Sequence, residues 1–424
     1  MPDAYRIDLP LTLADHLFYE EPGITLYAGD ALAVLRELPE ASAQMCITSP
    51  PYWGLRDYGT ATWEGGDERC DHKGSPVRTQ AGVNARHFGK KFKTDKQGDE
   101  REPMRQTCTK CGARRIDAQI GLEPTPDCGK RGAACGECYV CHMVEVFREV
   151  RRVLRDDGTL FLNLGDSYAA GGQNSGSRPE DLTEKQRSNA GCRYERRSAP
   201  PGLKPKDLVG IPWRTAFALQ ADGWYLRSDI IWAKPNPMPE SVIDRPTKSH
   251  EYLFLLSKSA TYYYDAEAIK EKASEATHAR ISQNLASQVG SFRANGGNKT
   301  NGPMRAVMAG TTRKIAEQGS GIKNNRSFEG AMALTVARVN KRSVWTIATQ
   351  PFSGAHFATF PPDLVKPCVL AGSRPGDVVL DHFVGSGTVP HVAKELGRAA
   401  IGIDLSPDYL ALAVKRLRQG VLAL

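Results

Sequence analysis

The chain has 424 residues and a formal net charge of +8, which is enough length for one large α/β domain with appendages. No apolar run approaches the roughly 20 residues that a membrane-spanning helix needs, and residues 1–5 lack the basic-then-apolar pattern of an export signal. We therefore expect a cytoplasmic protein without a membrane partner, whose ten cysteines serve as thiols or metal ligands rather than disulfides.

The first predicted elements are a strand at residues 24–30, a helix at 31–38 and a buried strand at 44–48, which leads into the stretch Thr-Ser-Pro-Pro-Tyr-Trp at 48–53. Two prolines cannot continue a strand ladder, so the residues after the strand are held at the sheet's rim, where open α/β sheets bind ligands. The hydroxyl, the carbonyls and the aromatic faces of this stretch suit a flat heterocycle with an exocyclic amine. A proline-terminated strand with a buried aromatic ring is the alternative interpretation.

Residues 60–141 interrupt the α/β pattern with a polar, cysteine-containing insertion that has too few aliphatic residues for its own core. We predict that zinc staples it, because cysteine and histidine at these spacings are typical of structural zinc sites. The first predicted ligand set is Cys70, His72, Cys108 and Cys111, and a second set that can close a tetrahedron is Cys128, Cys135, Cys138 and Cys141. Reduced thiols in a flexible insertion are the alternative.

The middle of the chain resumes the pattern with a helix at 144–154, ended by Asp157 and Gly158, and a buried strand at 159–164. A helix at 208–222 and strands at 226–234 and 250–258 follow, the two strands separated by a rigid proline-rich loop. Residues 293–342 carry ten basic and only two acidic side chains among many glycines and asparagines, as a polyanion-binding loop region requires. A solvated linker is the alternative here.

The C-terminal part contains a strand at 378–381, a glycine turn, a helix at 389–396, a strand at 400–403 and then Asp404. This succession predicts the nucleotide-binding half of a doubly wound fold, in which glycines let the backbone approach a ligand and the acid accepts hydrogen bonds from ribose hydroxyls.

Together, the stretches at 48–53 and 378–388 resemble the motifs of the DNA amino-methyltransferases, which methylate exocyclic amines with S-adenosylmethionine. The proline motif precedes the glycine motif, as in the permuted β class of that family. The resemblance implies an α/β fold: a doubly wound, mostly parallel, seven-stranded Rossmann-like sheet in the order 3-2-1-4-5-7-6. It also implies circular permutation, so that the strand at 24–30 lies beside the one ending at Asp404.

The resemblance further implies a division of the chain. Residues 1–59 and 142–265 would form the catalytic half, 60–141 the cysteine-rich insertion, 266–342 a loop-rich target-recognition region and 343–424 the cofactor-binding half.

The family's motifs assign roles to individual residues. The implied catalytic residues are Ser49, Pro50, Pro51 and Tyr52. The implied cofactor-binding residues are Asp30, Thr48, Phe360, Asp381, Phe383, Gly385, Ser386, Gly387, Thr388 and Asp404. The implied contacts to the target base and DNA are Trp53, Trp232, Lys234, Pro235 and Arg326. The chain departs from the family at His382, where a proline is usual.

The function that these expectations imply is site-specific transfer of a methyl group to the N4 amine of a cytosine flipped out of duplex DNA. Cytosine N4 is preferred because family members with serine at the first position of the loop tend to be N4 enzymes, whereas those with aspartate tend to be N6 enzymes. Adenine N6 is the alternative target. RNA or small-molecule methylation, and a catalytically idle nucleic-acid-binding protein, also stay open. The partners implied are double-stranded DNA, a second subunit in a homodimer and a cognate restriction endonuclease, in the cytoplasm of a bacterial, archaeal or phage-infected cell.

Overall fold

The computed structural model describes residues 12–54, 62–67, 69–70, 111–116, 119–121, 123, 125–129, 135, 138–169, 202–273, 338–350 and 361–419. The strands within these ranges are β1 (Leu17–Glu21), β2 (Ile24–Ala28), β3 (Ala43–Thr48), β4 (Thr62–Glu64), β5 (Arg114–Ile116), β6 (Leu154–Leu164), β7 (Tyr225–Ala233), β8 (His250–Ser257), β9 (Glu271–Lys272), β10 (Arg338–Val339), β11 (Val344–Thr346), β12 (Val378–Asp381) and β13 (Ala399–Asp404). The helices are α1 (Ala31–Glu37), α2 (Tyr139–Val153), α3 (Ile211–Ala221), α4 (Pro362–Gly372), α5 (Thr388–Glu395) and α6 (Pro407–Gln419), preceded by a 3-10 turn at Leu13–His16. No helix in the described part of the chain is both long and apolar enough to cross a bilayer.

The main sheet has the strand order β1-β2-β13-β12-β3-β6-β8-β7-β11. Strands β2, β13, β12, β3 and β6 run parallel, and β8 is antiparallel to both of its neighbours. The seven strands from β2 to β7 reproduce the predicted order 3-2-1-4-5-7-6, which confirms the mostly parallel α/β fold.

The predicted number of strands was wrong by two, because one strand is added at each edge of the sheet. At one edge β1 pairs antiparallel with β2, and at the other β11 pairs parallel with β7. No residue of β1 is buried, and β11 has three residues, of which only Trp345 is buried. Strand β1 therefore lacks the alternation that identifies a strand in a sequence. The sequence of residues 343–347 does predict a strand, and only its place at the edge of the sheet was not foreseen.

The N-terminal strand β2 lies beside the C-terminal strand β13, with Ile24 opposite Ala400 and Ala28 opposite Asp404. This is the pairing that the predicted permutation requires. The permutation itself relates this chain to others and stays a prediction.

Helices cover both faces of the sheet, as the alternation of β3 shows. Cys46 packs in the cluster that contains residues of α1, α2 and α3, whereas the sulfur of Met45 lies against Gly372 at the end of α4. Consecutive strand residues point to opposite faces, so the two groups of helices lie on opposite sides. All six residues of β3 are buried, which makes it the centre of the core.

Helix α2 forms because apolar residues recur every three or four positions, at Met143, Val146, Phe147, Val150 and Val153, and all five are buried. Burial of each such side chain contributes about 1.5–3 kcal/mol relative to exposure.

The predicted bounds of α2 and β6 need correction. The helix begins five residues earlier than predicted, because the sulfur of Cys138 accepts the N–H of Cys141 at 3.4 Å and caps it. Asp157 and Gly158, predicted to end the helix, lie inside β6, where their carbonyls accept the N–H groups of Tyr263 and Lys258. These contacts from a distant part of the chain keep the turn-forming pair extended.

Contacts divide the chain into two units, residues 1–264 with 343–424, and residues 265–342. The smaller unit is described at 265–273 and 338–342, where β9 pairs antiparallel with β10 and the Arg342 guanidinium pairs with Glu271. Its bounds lie within one residue of the predicted target-recognition region, whose role stays a proposal.

Candidate active site

The loop that the sequence predicts to be catalytic, residues 49–52 and called the catalytic loop below, begins where β3 ends. Thr48 and Pro50 are buried, while Ser49, Pro51 and Tyr52 are half-buried. Neither proline has an N–H to donate to the neighbouring strand, so the ladder stops here and the loop stands at the carboxyl edge of the sheet.

Asn163, near the end of the neighbouring strand β6, accepts hydrogen bonds from the two hydroxyl groups of the loop. Its Oδ1 atom is 2.8 Å from Tyr52 Oη and 3.3 Å from Ser49 Oγ. The amide is oriented by its nitrogen, which donates to the carbonyl of Tyr252 at 3.0 Å. The hydrogen of Ser49 is thereby directed into the protein, and its lone pairs are left for another donor.

Glu251 continues this network on β8. Its Oε2 atom is 2.7 Å from Tyr52 Oη, so the single hydroxyl hydrogen of Tyr52 lies between two acceptors. The other carboxylate oxygen accepts from Lys234, whose ammonium also lies 4.3 Å from the centre of the Trp232 ring. Burial, and then the charge of Glu251, raise the pKa of Tyr52 although part of the ring stays exposed, so the phenol remains protonated.

Two glycines make room for the loop. A Cβ at Gly165 would lie 2.5 Å from Tyr52 Cε2, and one at Gly121 would lie 3.2 Å from the Tyr52 carbonyl oxygen. Gly121 also accepts the N–H of Gly54 at 2.8 Å. The end of β6 and residues 119–123 of the insertion therefore pack directly on the loop.

The residues predicted to contact the target base differ in how exposed they are. Trp53 is 4% exposed and donates its indole N–H to the Glu123 carbonyl at 2.8 Å, so it is a core residue rather than a stacking face. Trp232 is equally buried and donates to the Ile347 carbonyl at 2.8 Å. Pro235 is exposed and Lys234 half-buried, so of the rings that we predicted to stack on a base, only that of Tyr52 remains partly open.

Asp381 joins the catalytic loop to residues 343–424, the half of the chain that we predict to bind the cofactor. Its Oδ1 atom accepts from Thr48 Oγ1 at 2.8 Å and from the N–H of Phe383 at 3.1 Å. Burial raises the pKa of Asp381 to about 7, against the lowering effect of these two hydrogen bonds and with a smaller contribution from Asp404. The ends of β3 and β12 are thus tied side by side.

Asp404, at the end of β13, binds the glycine turn, which comprises residues 382–387 between β12 and α5. Its two oxygens accept the N–H groups of Gly385 and Ser406, both at 2.8 Å. Burial raises the pKa of Asp404, opposed by these backbone bonds. Asp30 caps α1 by accepting from Ala33 at 2.9 Å, and the preceding Gly29 donates to the Asp404 carbonyl at 3.0 Å. Asp30 therefore lies at the same edge of the sheet as Asp404.

The other residues of the turn are mostly packed inside. Gly387 has φ +77°, and a Cβ there would lie 2.6 Å from that of Ala413 in α6. Ser386 and Thr388 are buried, and Arg416 donates to Thr388 Oγ1 at 2.7 Å. Phe383 is half-buried.

His382 is fully buried, and burial lowers its pKa to about 3, so its ring is neutral. Its Nδ1 atom is 3.7 Å from Cys46 Sγ, and its ring meets Phe147 edge-on at 5.1 Å. Nε2 has no hydrogen-bond partner within the described ranges. The residue that replaces the family's proline therefore packs beneath the turn.

The second predicted metal set is brought together at the start of α2. The ligand atoms of Cys128, Cys135, Cys138 and Cys141 all lie within 4.8 Å of one another. Burial raises the pKa of both Cys138 and Cys141.

Four predicted residues lie outside the described ranges, namely His72, Cys108, Phe360 and Arg326. The first metal set is consequently represented only by Cys70 and Cys111, both half-buried.

Sequence reasoning missed Asn163, Glu251, Glu123 and Tyr139. The available signal was a polar residue inside an apolar run, since Asn163 stands between Leu162 and Leu164 in a strand that is otherwise apolar there. A buried polar side chain needs a partner, and here the partner is the catalytic loop.

The chain matches the N6/N4 family model described as DNA methylase over residues 43–415. It is 39% identical over 396 residues to the type II methyltransferase M.Cfr9I of Citrobacter freundii, covering 93% of this chain and 88% of that protein. It is 39% identical to M.XycI of Xanthomonas campestris pv. cyanopsidis, over 93% of this chain and 88% of that protein. The identity to M.SmaI of Serratia marcescens is 37%, over 92% of this chain and 90% of that protein. With the catalytic loop and the glycine turn side by side at one edge of its sheet, the chain belongs to the N6/N4 DNA methylase family.

Proposed function

We propose that the protein transfers a methyl group from S-adenosylmethionine to the N4 amine of a cytosine flipped out of duplex DNA. The observation that carries the proposal is the adjacency of the two motifs, since Thr48 before the loop donates to Asp381 before the glycine turn at 2.8 Å. A base amine held by the loop and a methyl donor held by the turn would therefore meet at neighbouring strand ends.

S-adenosylmethionine supplies the electrophilic methyl group. An exocyclic amine is a weak nucleophile because its lone pair is conjugated with the ring. Acceptors for both of its hydrogens, Ser49 Oγ and the Pro50 carbonyl, would localise that lone pair and direct it away from the ring. The direction of the Ser49 hydrogen toward Asn163, 3.3 Å away, supports this role because it leaves the serine oxygen free to accept.

The glycine turn and the carboxylates around it would hold the cofactor. Asp404 and Asp30 lie together at the edge where ribose and adenine would bind, and each Asp404 oxygen has a lone pair beyond the one used by backbone. Phe383 and Phe360 would contact the cofactor from the turn and from the segment before α4.

The choice of cytosine N4 over adenine N6 rests on Ser49, where many N6 enzymes have aspartate. Lys234, with its Glu251 partner, and the exposed Pro235 would form the rim of the base pocket. We further propose that the protein is the modification enzyme of a type II restriction system, as the names of its relatives suggest, with a cognate endonuclease and with residues 266–342, including Arg326, on the DNA.

Mass spectrometry of nucleosides tests the base directly. Duplex DNA treated with the protein and S-adenosylmethionine should yield N4-methylcytosine, and Ser49→Ala should lose at least about 99% of the rate because one acceptor is removed. Ser42→Ala is the matched control, since that hydroxyl only donates to the Pro39 carbonyl. N6-methyladenine without N4-methylcytosine would overturn the choice of base, and no methylated nucleoside at all would favour an idle binding protein.

The proposal includes a structural zinc ion on Cys128, Cys135, Cys138 and Cys141. Four thiolates would leave no open coordination position, so the ion would not take part in methyl transfer. Elemental analysis of the full chain should find at least one zinc per molecule, and two if Cys70, His72, Cys108 and Cys111 form a second site.

A further inference from the structure

The zinc knuckle, defined as residues 125–129 with Cys135 and residues 138–141, forms the start of α2. Cys138 caps the helix and Cys141 lies in its first turn. The N–H groups of Tyr139 and Val140 donate to the carbonyls of Thr125 and Pro126, both at 3.1 Å. The knuckle is therefore closed by backbone bonds as well as by the grouping of its sulfurs.

The sulfur positions fit a thiophilic divalent cation. Tetrahedral zinc–thiolate bonds of about 2.3 Å separate the sulfurs by roughly 3.8 Å. The Sγ atoms of Cys128 and Cys141 are 3.6 Å apart, and all four sulfurs lie within 4.8 Å of one another. A contraction of at most about 1 Å would bring the widest pair to zinc geometry.

The knuckle reaches the catalytic loop through Tyr139. This side chain is fully buried, and its hydroxyl donates to the Pro51 carbonyl at 3.1 Å. Tyr139 lies between Cys138 and Cys141, so its position is set by the same turn that two of the thiolates would hold. A change in the knuckle would therefore move the group that supports the middle of the loop.

A second route runs through Glu123. Its carbonyl accepts from the Trp53 indole and its Oε2 atom accepts the Gly121 N–H, both at 2.8 Å. Its Oε1 atom is 2.9 Å from Nδ1 of His142, one residue beyond Cys141. Gly121 in turn accepts from Gly54 at 2.8 Å. The end of the loop is thus tied to the first turn of α2 as well.

We propose that zinc in this knuckle fixes the geometry of the catalytic loop, with Tyr139 as the positioning residue, so that methyl transfer depends on a metal that never touches the reactants. The proposal rests on the proposed function, because its effect is read as a methylation rate. Its structural part has an independent readout in the Gly54 amide, two residues after the loop.

The first experiment uses Tyr139→Phe, which removes one hydroxyl and keeps all four cysteines. Single-turnover methyl transfer should slow by between about 10-fold and 100-fold, as expected for a misplaced reacting group. Zinc content and the Kd for S-adenosylmethionine should stay within about twofold, because the cofactor half is untouched. The matched control is Tyr19→Phe, whose hydroxyl bonds Glu21 on the edge strand β1. A Tyr139→Phe variant with the parent rate would overturn the positioning role.

The second experiment removes the metal from the full chain with a chelator and follows amide exchange. The Gly54 amide should exchange at least about tenfold faster, whereas the Val384 amide, bonded to Ile403 in the cofactor half, should not change. Added Zn²⁺ should restore both Gly54 protection and the methylation rate. Cys138→Ser should lose one zinc equivalent and behave like the stripped protein, while Cys368→Ser, at a buried thiol in α4, should retain the metal.

The outcomes separate the two proposals. If the metal-loaded protein does not methylate DNA, the proposed function fails, and Gly54 exchange still decides whether the knuckle holds the loop. If the stripped protein keeps both its rate and its Gly54 protection, the inference is wrong and the proposed methyl transfer stands. If the purified protein holds no metal, the inference is wrong together with the structural zinc ion proposed above, and the proposed methyl transfer again stands.

Discussion

At the scale of single residues, Ser49 can accept from a substrate amine only if its own hydrogen points elsewhere. Asn163 Oδ1, at 3.3 Å, and Tyr52 Oη, at 3.5 Å, both lie on the protein side of this hydroxyl. A serine whose hydrogen rotated toward the substrate would present a donor to a donor. Under the proposed function, the buried amide of Asn163 would therefore keep Ser49 ready to accept a hydrogen bond from a base amine.

We predict that Asn163→Ala lowers the single-turnover rate by about 10-fold to 100-fold, because Ser49 and Tyr52 lose their common acceptor. Affinity for S-adenosylmethionine should be unchanged in calorimetry, since the side chain of Asn163 bonds to the catalytic loop and to the Tyr252 carbonyl. Equal losses in rate and in cofactor affinity would show that the residue supports the fold in general.

Asp381 gives a second prediction, on how the stability of the fold depends on pH. Its pKa is about 7 in the folded protein and 3.8 for an ordinary aspartate, the value expected in the unfolded chain. Between these two pH values the folded protein therefore holds a proton that the unfolded chain has released. The contribution of this group to stability therefore falls as pH rises from about 4 to about 7.

Asp381→Asn keeps an oxygen for Thr48 and has no charge to bury. The free energy of unfolding of the variant minus that of the parent should be larger at pH 8 than at pH 5. Urea unfolding without cofactor measures both proteins at each pH. Comparison at each pH cancels the opposite trend of His382, whose lowered pKa destabilises the folded protein as the solution becomes acidic. A difference in the free energy of unfolding between variant and parent that does not change with pH would contradict the raised pKa of Asp381.

At the scale of elements, the glycine turn lets α5 and α6 approach each other closely. Gly387 supplies a left-handed residue, φ +77°, at the point where α5 begins and where Ala413 of α6 packs. A side chain at this position would meet both a strained backbone and an occupied space. The turn that would bind the cofactor is therefore also a helix-packing contact.

Gly387→Ala should lower the free energy of unfolding by about 2–4 kcal/mol, from left-handed strain and overpacking together. Gly397→Ala is the control, because that glycine has φ +70° but nothing within 4 Å of its added Cβ, and it should lose only the strain of about 1–2 kcal/mol. If urea unfolding shows that both variants lose the same free energy of unfolding, the clash with Ala413 makes no contribution.

At the scale of the whole molecule, charge is unevenly distributed along the chain. Residues 293–342 carry ten basic and two acidic residues, whereas the whole chain has a formal net charge of only +8. A positive segment of this kind favours a polyanionic partner, and its binding should be sensitive to salt.

We predict that the logarithm of DNA affinity falls with the logarithm of salt concentration, by about 0.9 per phosphate contact. Arg326→Gln should reduce the slope by about one contact, while Arg36→Gln, an α1 residue paired with Glu145, should leave it unchanged. Fluorescence anisotropy at several salt concentrations measures both. Identical slopes for the parent and Arg326→Gln would place this arginine off the DNA.

The sequence by itself determined the position of both motifs at the ends of their strands, and its resemblance to the DNA amino-methyltransferases implied the order of the central strands. Proline-terminated strands, glycine turns and alternating β and α patterns are local signals, because they arise from backbone geometry within a few residues. The grouping of four cysteines could also be foreseen, since three of them lie within one short stretch, at Cys135, Cys138 and Cys141.

Only the tertiary structure decided which side chains serve the loop. Ser49 and Asn163 are 114 residues apart, and Tyr52 and Glu251 are 199 apart, so no local pattern connects them. The same holds for Trp53, which looks like a stacking ring in the sequence but is buried against Glu123, 70 residues away. Burial and hydrogen-bond pairing depend on which distant segments meet, and these follow from the packing of the whole chain rather than from any stretch of it.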